Sequence, residues 1–186
     1  MPDDYFRQNN LRHHHESLLV SEDENGLQVS LYLSADVLSH LADSHPNGLL
    51  EAGKFSEFCL ILEGVSHFLY LVWNARYQKQ ITLLELELQA EIDKFIVLMD
   101  SLSEENNNGL ADELHSWLFE KHRFSEALSG KEYERYQQAN HYAGKYCMGL
   151  QQQYRLTEQN DELMKELRRF YRMDQAAKLR TINRLN

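Results

Sequence analysis

Residues 55–73 read FSEFCLILEGVSHFLYLVW, a run long enough for about five turns of helix and apolar on nearly every side. Such a helix is typical of the centre of a helical bundle. We therefore expect a long central helix over residues 51–79. Because Glu57, Glu63 and His67 interrupt the apolar run, we do not expect it to span a membrane.

In the rest of the chain after Ser34, the apolar residues also recur at helical spacing. Ser34 can cap a short first helix, and a break is expected near Asp174. The predicted helices around the central one cover residues 35–44, 82–102, 109–125, 131–155 and 158–185. Short connections favour antiparallel neighbours. The predicted fold class is mainly α, a helical bundle of four to six helices.

Before Ser34, apolar residues recur at every second position instead of at helical spacing. This alternation indicates a half-buried strand. Asn25-Gly26 supplies residues that tolerate a tight turn. We therefore expect a short N-terminal β-hairpin over residues 17–33. The predicted organisation is a polar segment 1–16, a single helical domain 17–173 that includes the hairpin, and a basic C-terminal helix 174–186.

Composition indicates a folded cytoplasmic protein. The chain has 186 residues, of which 42% are hydrophobic, enough to bury a core without disulfides or metals. Cys59 and Cys147 lie in apolar helical stretches and are expected to be free, buried thiols. The first ten residues lack the basic and apolar regions of a secretory signal, so the expected location is the cytoplasm.

The net charge of −10 is unevenly distributed. Residues 165–186 contain seven basic and two acidic residues, a net charge of +5, which leaves −15 for residues 1–164. An acidic body disfavours nucleic-acid binding. The basic tail has three candidate partners: its own acidic body or a second subunit, an acidic protein, or nucleic acid. We expect docking within the chain or in a dimer for Arg168, Arg169, Arg172, Lys178, Arg180 and Arg184.

A polar stripe lies on one side of the central helix. At 100° per residue, the stripe occupies an arc of about 100° and contains Glu63, Ser66, His67, Tyr70 and Asn74. Three interpretations remain open. The stripe faces water, forms a buried hydrogen-bonded network, or belongs to a metal or catalytic site.

The helix predicted over residues 82–102 places a carboxylate within its apolar stripe. Glu91 falls in the middle of the stripe and Glu87 at its edge. The far side of this helix is expected to be solvated and carries Glu85, Gln89 and Asp93. A buried carboxylate is usually protonated, paired or bound to a metal.

Two interpretations of Glu91 follow, besides simple exposure. It forms a structural hydrogen bond with His67 or a tyrosine, or it joins a metal or acid/base site made of Glu63, His67, Glu87 and Glu91. No cofactor is firmly implied, but such ligands suit a divalent metal, which would be Fe, Mn, Mg or Zn. Ser66, Tyr70 and Asn140 are the candidates for a supporting layer around that site.

The remaining histidines and tyrosines favour structural roles. The stripe of the helix over residues 131–155 contains Asn140 and several tyrosines, whose rings are expected to be buried with bonded hydroxyls, while His141 points outward. His115 and His122 lie two turns apart, too far to share one metal. His13–His15 lack partners with the spacing of a native metal site.

No nucleotide-binding or hydrolase signature is present: the chain lacks GxxxxGK[ST], GxGxxG, GxSxG, CxxC and HExxH. We therefore expect a helical interaction or regulatory protein that acts through protein–protein contacts, with a protein partner or self-association as a dimer. The alternative is a metal-dependent or acid/base enzyme with the interhelical Glu/His site. The sequence leaves the enzyme question open.

Overall fold

The structure is a computed structural model. It describes residues 16–24, 26–42, 54–104, 108–120, 130–154 and 161–185. The chain forms two compact units, Met1–Gln80 and Ile81–Asn186. Residues 1–15, which make up nearly all of the predicted polar segment and include His13–His15, lie outside the described residues.

The elements follow the predicted order, and the fold is mostly helical with an N-terminal antiparallel hairpin. The first unit contains β1 (Glu16–Asp23), β2 (Gly26–Leu33), α1 (Ala35–Ala42) and α2 (Phe55–Arg76). The second unit contains α3 (Leu83–Glu104), α4 (Asn108–His115), α5 (Gly130–Gln153), α6 (Asp161–Tyr171) and α7 (Gln175–Asn183). A π-helical segment, Ser116–Glu120, continues directly from α4.

In the first unit the hairpin packs against α2. Gly26 adopts φ +128°, as the tight turn requires, and its N–H donates to Asp23 Oδ1 at 3.2 Å. Gly64 of α2 lets the hairpin approach closely, because a β-carbon there would lie 2.6 Å from Glu16 Cγ and 3.0 Å from Leu31 Cδ1. The hairpin is therefore seated on the backbone of α2.

The expectation that α2 is the central helix of the bundle is wrong. The residues that α2 buries are Gly64, Ser66, Tyr70 and Asn74. By contrast, every residue of α3 from Glu85 to Ile92 is buried. The difference arises because α2 is apolar nearly all round but has an apolar side that stays exposed among the described residues, so hydropathy alone cannot show which side is buried.

The second unit is built on α3 and α5, which pack against each other. Leu88 and Phe95 of α3 and Ala139 and Ala143 of α5 are completely buried or nearly so. Thr82 and Glu85 begin α3 with a reciprocal capping box. The Glu85 N–H donates to Thr82 Oγ1 at 3.1 Å, and the Thr82 N–H donates to Glu85 Oε2 at 3.2 Å.

The predicted break near Asp174 is confirmed. Asp174 lies between α6 and α7, and its Oδ1 accepts a hydrogen bond from the Ala177 N–H at 2.7 Å. Ser34 caps α1 in the same way, since its Oγ accepts from the Val37 N–H at 3.4 Å. The division into a single domain 17–173 and a separate helix 174–186 stays a prediction.

Among the described residues, α2 is the one helix whose length and composition would let it cross a membrane. A protein that spans the membrane several times is therefore excluded for the described part of the chain.

Candidate functional site

Glu91 is buried, as its position on the helical wheel predicts, with 8% of its surface exposed. Its Oε1 lies 2.7 Å from Nζ of Lys94, one turn further along α3, and Lys94 is buried as well. The partner of this carboxylate is thus a lysine of the same helix, which the sequence analysis left out. Glu91 and Lys94 form a buried ion pair, the arrangement that makes a buried carboxylate tolerable.

Glu87 is also buried and also has a cation beside it. Its Oε1 lies 3.5 Å from Nε of Arg135 on α5. This contact ties α3 to α5 across the core of the second unit. Both carboxylates that the sequence analysis selected on α3 therefore have a basic neighbour that balances their charge.

The polar stripe of α2 does not face water, so the water-facing interpretation is wrong. Ser66, Tyr70 and Asn74 are buried, while Glu63 and His67 are half-buried. Within the helix, Asn74 Nδ2 donates to the Tyr70 carbonyl at 2.8 Å. Polar groups on this side are held inside the structure, which favours the buried-network interpretation.

Glu63 and His67 belong to the first unit, whereas Glu87 and Glu91 belong to the second. The metal or acid/base site that would combine all four residues stays a prediction from the sequence. Of the three candidates for its supporting layer, Ser66 and Tyr70 lie in the first unit and Asn140 in the second.

The opposite side of α2 carries an exposed apolar stripe, which the sequence analysis missed. Val65 is 36% exposed, Leu69 55% and Val72 41%. Half-buried Phe58 and Leu62 precede them and exposed Arg76 follows. We call these six residues the α2 seam. Their spacing of four, three, four, three and four residues is that of coiled-coil a and d positions.

One cation of the basic C-terminal tail, Lys178, packs inside its own unit, while docking of the other five tail cations stays a prediction. Lys178 of α7 is completely buried, and its Nζ donates to Gln89 Oε1 of α3 at 2.7 Å. Nζ also lies 5.2 Å from the centre of the Phe170 ring. The other tail cations named above are exposed: Arg168, Arg169, Arg172, Arg180 and Arg184.

This docking overturns the expectation that the far side of α3 is solvated. Glu85 and Gln89 are buried, and Asp93 is half-buried. Gln89 donates from Nε2 to Asp93 Oδ1 at 2.8 Å while accepting from Lys178. The polar side of α3 is therefore buried in part because a lysine from the C-terminal helix bonds to it.

Tyr146 shows the predicted behaviour of a buried tyrosine. Its ring stacks on Phe170 with centroids 3.9 Å apart, and its hydroxyl donates to Glu166 Oε1 at 3.3 Å. Burial, with the nearby Glu166 charge, raises the pKa of Tyr146 far above its usual value. Burial likewise raises the pKa of the free Cys147 thiol, so this thiol is a core group with little thiolate character. Cys59 is also free, but half-buried rather than buried.

A second polar site lies beside the π-helical segment, around His115. Single turns of π-helix are rare overall and frequently occur at functional sites. The Nε2–H of buried His115 donates to the Gly144 carbonyl at 2.9 Å, and its Nδ1 lies 3.8 Å from Glu120 Oε1. Asn140 Nδ2 donates to the Leu118 carbonyl at 2.9 Å. Asn140 thus supports the π-helical segment.

These groups border a pocket of about 320 Å³ on the surface of α5. His141, which is exposed as predicted, also lines this pocket. His122, which lies too far along the sequence from His115 to share one metal with it, is outside the described residues. The sequence carries no signal for the π-helical segment, since nothing in SWLFE distinguishes it from an ordinary helix.

No protein-family model, no curated protein and no solved structure matches this chain. No known family therefore indicates a function for this chain. The proposal below is argued from the geometry of the described residues.

Proposed function

We propose that this chain is a helical interaction protein that self-associates through the α2 seam. The observation that carries the proposal is the exposure of Val65, Leu69 and Val72 on the outer side of α2. Single exposed apolar residues are ordinary on a protein surface, but a contiguous apolar stripe marks a contact surface. Here three such residues follow each other on successive turns of one helix.

The spacing of the residues in the seam indicates that its partner is a helix. Apolar residues repeated every 3.5 residues on average form knobs that fit between the side chains of a second helix with the same repeat. A second copy of this chain provides an identical repeat. The occupant of the seam that we propose is therefore α2 of a second copy.

An antiparallel arrangement fits the seam because its spacing is the same in both directions. About a two-fold axis, Leu62 of one copy would face Val72 of the other, and Val65 would face Leu69. Such an interface is self-complementary, as two-fold symmetry requires. Arg76 would face Phe58 at the other end of the seam.

The test is the oligomeric state of the full chain, measured by size-exclusion chromatography with light scattering at several concentrations. We expect the mass of a dimer for the wild type and that of a monomer for Leu69→Glu. Because Leu69 is exposed, this variant should keep the wild-type circular dichroism spectrum. The matched control is Met164→Glu, an exposed apolar position on α6, which should remain dimeric.

Two results would overturn the proposal. A wild type that stays monomeric at high concentration would overturn self-association, even if the seam binds a different protein. Dimerisation of Leu69→Glu as tight as that of the wild type would overturn the assignment to the α2 seam.

A further inference from the structure

We propose that the pocket beside the π-helical segment, which we call the His115 pocket, binds a small organic anion with an apolar body. It encloses about 320 Å³ and lies wholly within the second unit. This volume falls at the lower end of the range for small-molecule sites. The pocket is separate from the α2 seam, so the two proposals stand independently.

Part of the pocket wall is apolar, and two glycines of α5 set the positions of the apolar side chains. A β-carbon on Gly144 would lie 3.0 Å from Phe119 Cβ, and one on Gly149 would lie 2.9 Å from Leu185 Cδ1. The absence of side chains at these positions lets Phe119 and Leu185 lie directly against α5. The cleft left between them is bordered by Met148 and suits an apolar ligand body.

His115 adds a polar group whose Nε2 carries a proton. Because a carbonyl oxygen only accepts, the hydrogen bond to Gly144 requires the proton on Nε2. The other nitrogen, Nδ1, is on the side of Glu120. Glu120 also lines the pocket; its side chain is 61% exposed, and its Oε2 accepts a hydrogen bond from Ser116 Oγ at 2.9 Å, so the carboxylate is held by its own turn and largely in water.

Lys145 determines the charge of the expected ligand. It is half-buried in the wall of the pocket, and among the described residues it forms no ion pair. His141 lies one turn before it on the same side of α5 and is exposed. An ammonium group supplies up to three hydrogen-bond donors, so a carboxylate or sulfonate placed there would gain charge-assisted hydrogen bonds.

The experiment uses two probes of similar shape, 2-naphthoate and the uncharged 2-naphthylmethanol, titrated calorimetrically into the full chain. We expect saturable binding of one naphthoate per chain and binding of the alcohol about tenfold or more weaker, as loss of a charge-assisted hydrogen bond implies. Lys145→Gln should abolish the difference between the two probes. Lys165→Gln, at an exposed position on α6, is the control and should preserve it.

Three results would overturn the proposal. The first is the absence of saturable naphthoate binding at millimolar concentration. The second is equal affinity of the wild type for both probes, since the pocket would then not select an anion. The third is loss of naphthoate binding in Leu69→Glu, which would assign the probe to the α2 seam instead. Retained binding in that variant supports the His115 pocket.

Discussion

Glu91 and Lys94 form an ion pair of 2.7 Å whose side chains are only 11% and 6% exposed. The same pair of residue types recurs at the same spacing on α6, where Glu162 and Lys165 are 2.6 Å apart but 70% and 68% exposed. The chain thus contains a matched comparison, in which residue types, spacing and distance agree and burial differs.

We expect Glu91→Ala to lower the free energy of unfolding by about 3–5 kcal/mol, because it leaves the buried lysine without its carboxylate. Glu162→Ala should cost less than about 1 kcal/mol, since water screens that pair. Urea denaturation of both variants measures the difference. The double variant Glu91→Met/Lys94→Met should recover most of the loss. Equal effects of the two single variants would mean that Glu91 is not buried in solution.

The docking of the tail is expected to contribute to stability through Lys178. Lys178→Ala removes the donor to Gln89 Oε1 in the interior and should cost roughly 1–3 kcal/mol. Deletion of residues 174–186 should also lower the melting temperature. The control is Arg180→Ala, a neighbouring exposed cation of the same helix. Equal stability of Lys178→Ala and Arg180→Ala would contradict the role of the buried lysine.

The features that the sequence predicts well are local. The hairpin, the Ser34 cap and the Asp174 cap each depend on residues a few positions apart, so their signals lie within one short segment. The buried position of Glu91 follows from the pattern of its own helix. Such features are determined by neighbouring residues and do not depend on packing against a distant segment.

The features that the sequence did not predict depend on distant contacts. Gln89 is buried and bonded to a lysine that lies 89 residues further along the chain, and no helical wheel contains that partner. Likewise, packing against other segments determines which side of α2 is buried, because the sequence of either side is compatible with burial. In this helix the polar side is inside and the apolar seam outside, the reverse of what an isolated amphipathic pattern predicts.

Close seating of the hairpin should make Gly64 sensitive to substitution. Gly64→Leu would place atoms where Glu16 and Leu31 already lie and should cost roughly 1–3 kcal/mol. Gly130→Leu is the control, because no atom of the part of the chain that the structure describes lies within 4 Å of its added β-carbon. Leucine is the better helix former, so propensity alone would stabilise both variants. Stabilisation of Gly64→Leu in thermal unfolding would therefore argue against the hairpin contact.

Metal analysis distinguishes the interaction protein from the predicted enzyme. Both α3 carboxylates have cationic neighbours, Lys94 for Glu91 and Arg135 for Glu87, which would compete with a metal ion for their charge. We therefore expect less than stoichiometric Fe, Mn or Zn in untagged protein, measured by inductively coupled plasma mass spectrometry. A stoichiometric metal that His67→Ala removes would instead support the enzyme with the Glu/His site.

Alkaline pH should destabilise the protein through its buried tyrosines. Burial, with the nearby Asp93 charge, raises the pKa of Tyr171 from 10.0 to about 12, and burial also raises the pKa of Tyr146. The folded state therefore holds the Tyr171 proton more tightly than the unfolded chain does. This contribution to stability is fully present below pH 10 and is lost as the pH rises from about 10 to about 12.

Urea denaturation at several pH values between 9 and 12 measures this loss, and absorbance at 295 nm follows ionisation of the phenol groups. We expect the free energy of unfolding of the wild type to fall across this range. Tyr171→Phe should show a smaller decline, because the phenylalanine has no proton to lose, while the contribution of Tyr146 remains. A decline in Tyr171→Phe as steep as that of the wild type would mean that the Tyr171 hydroxyl is solvated in the folded state.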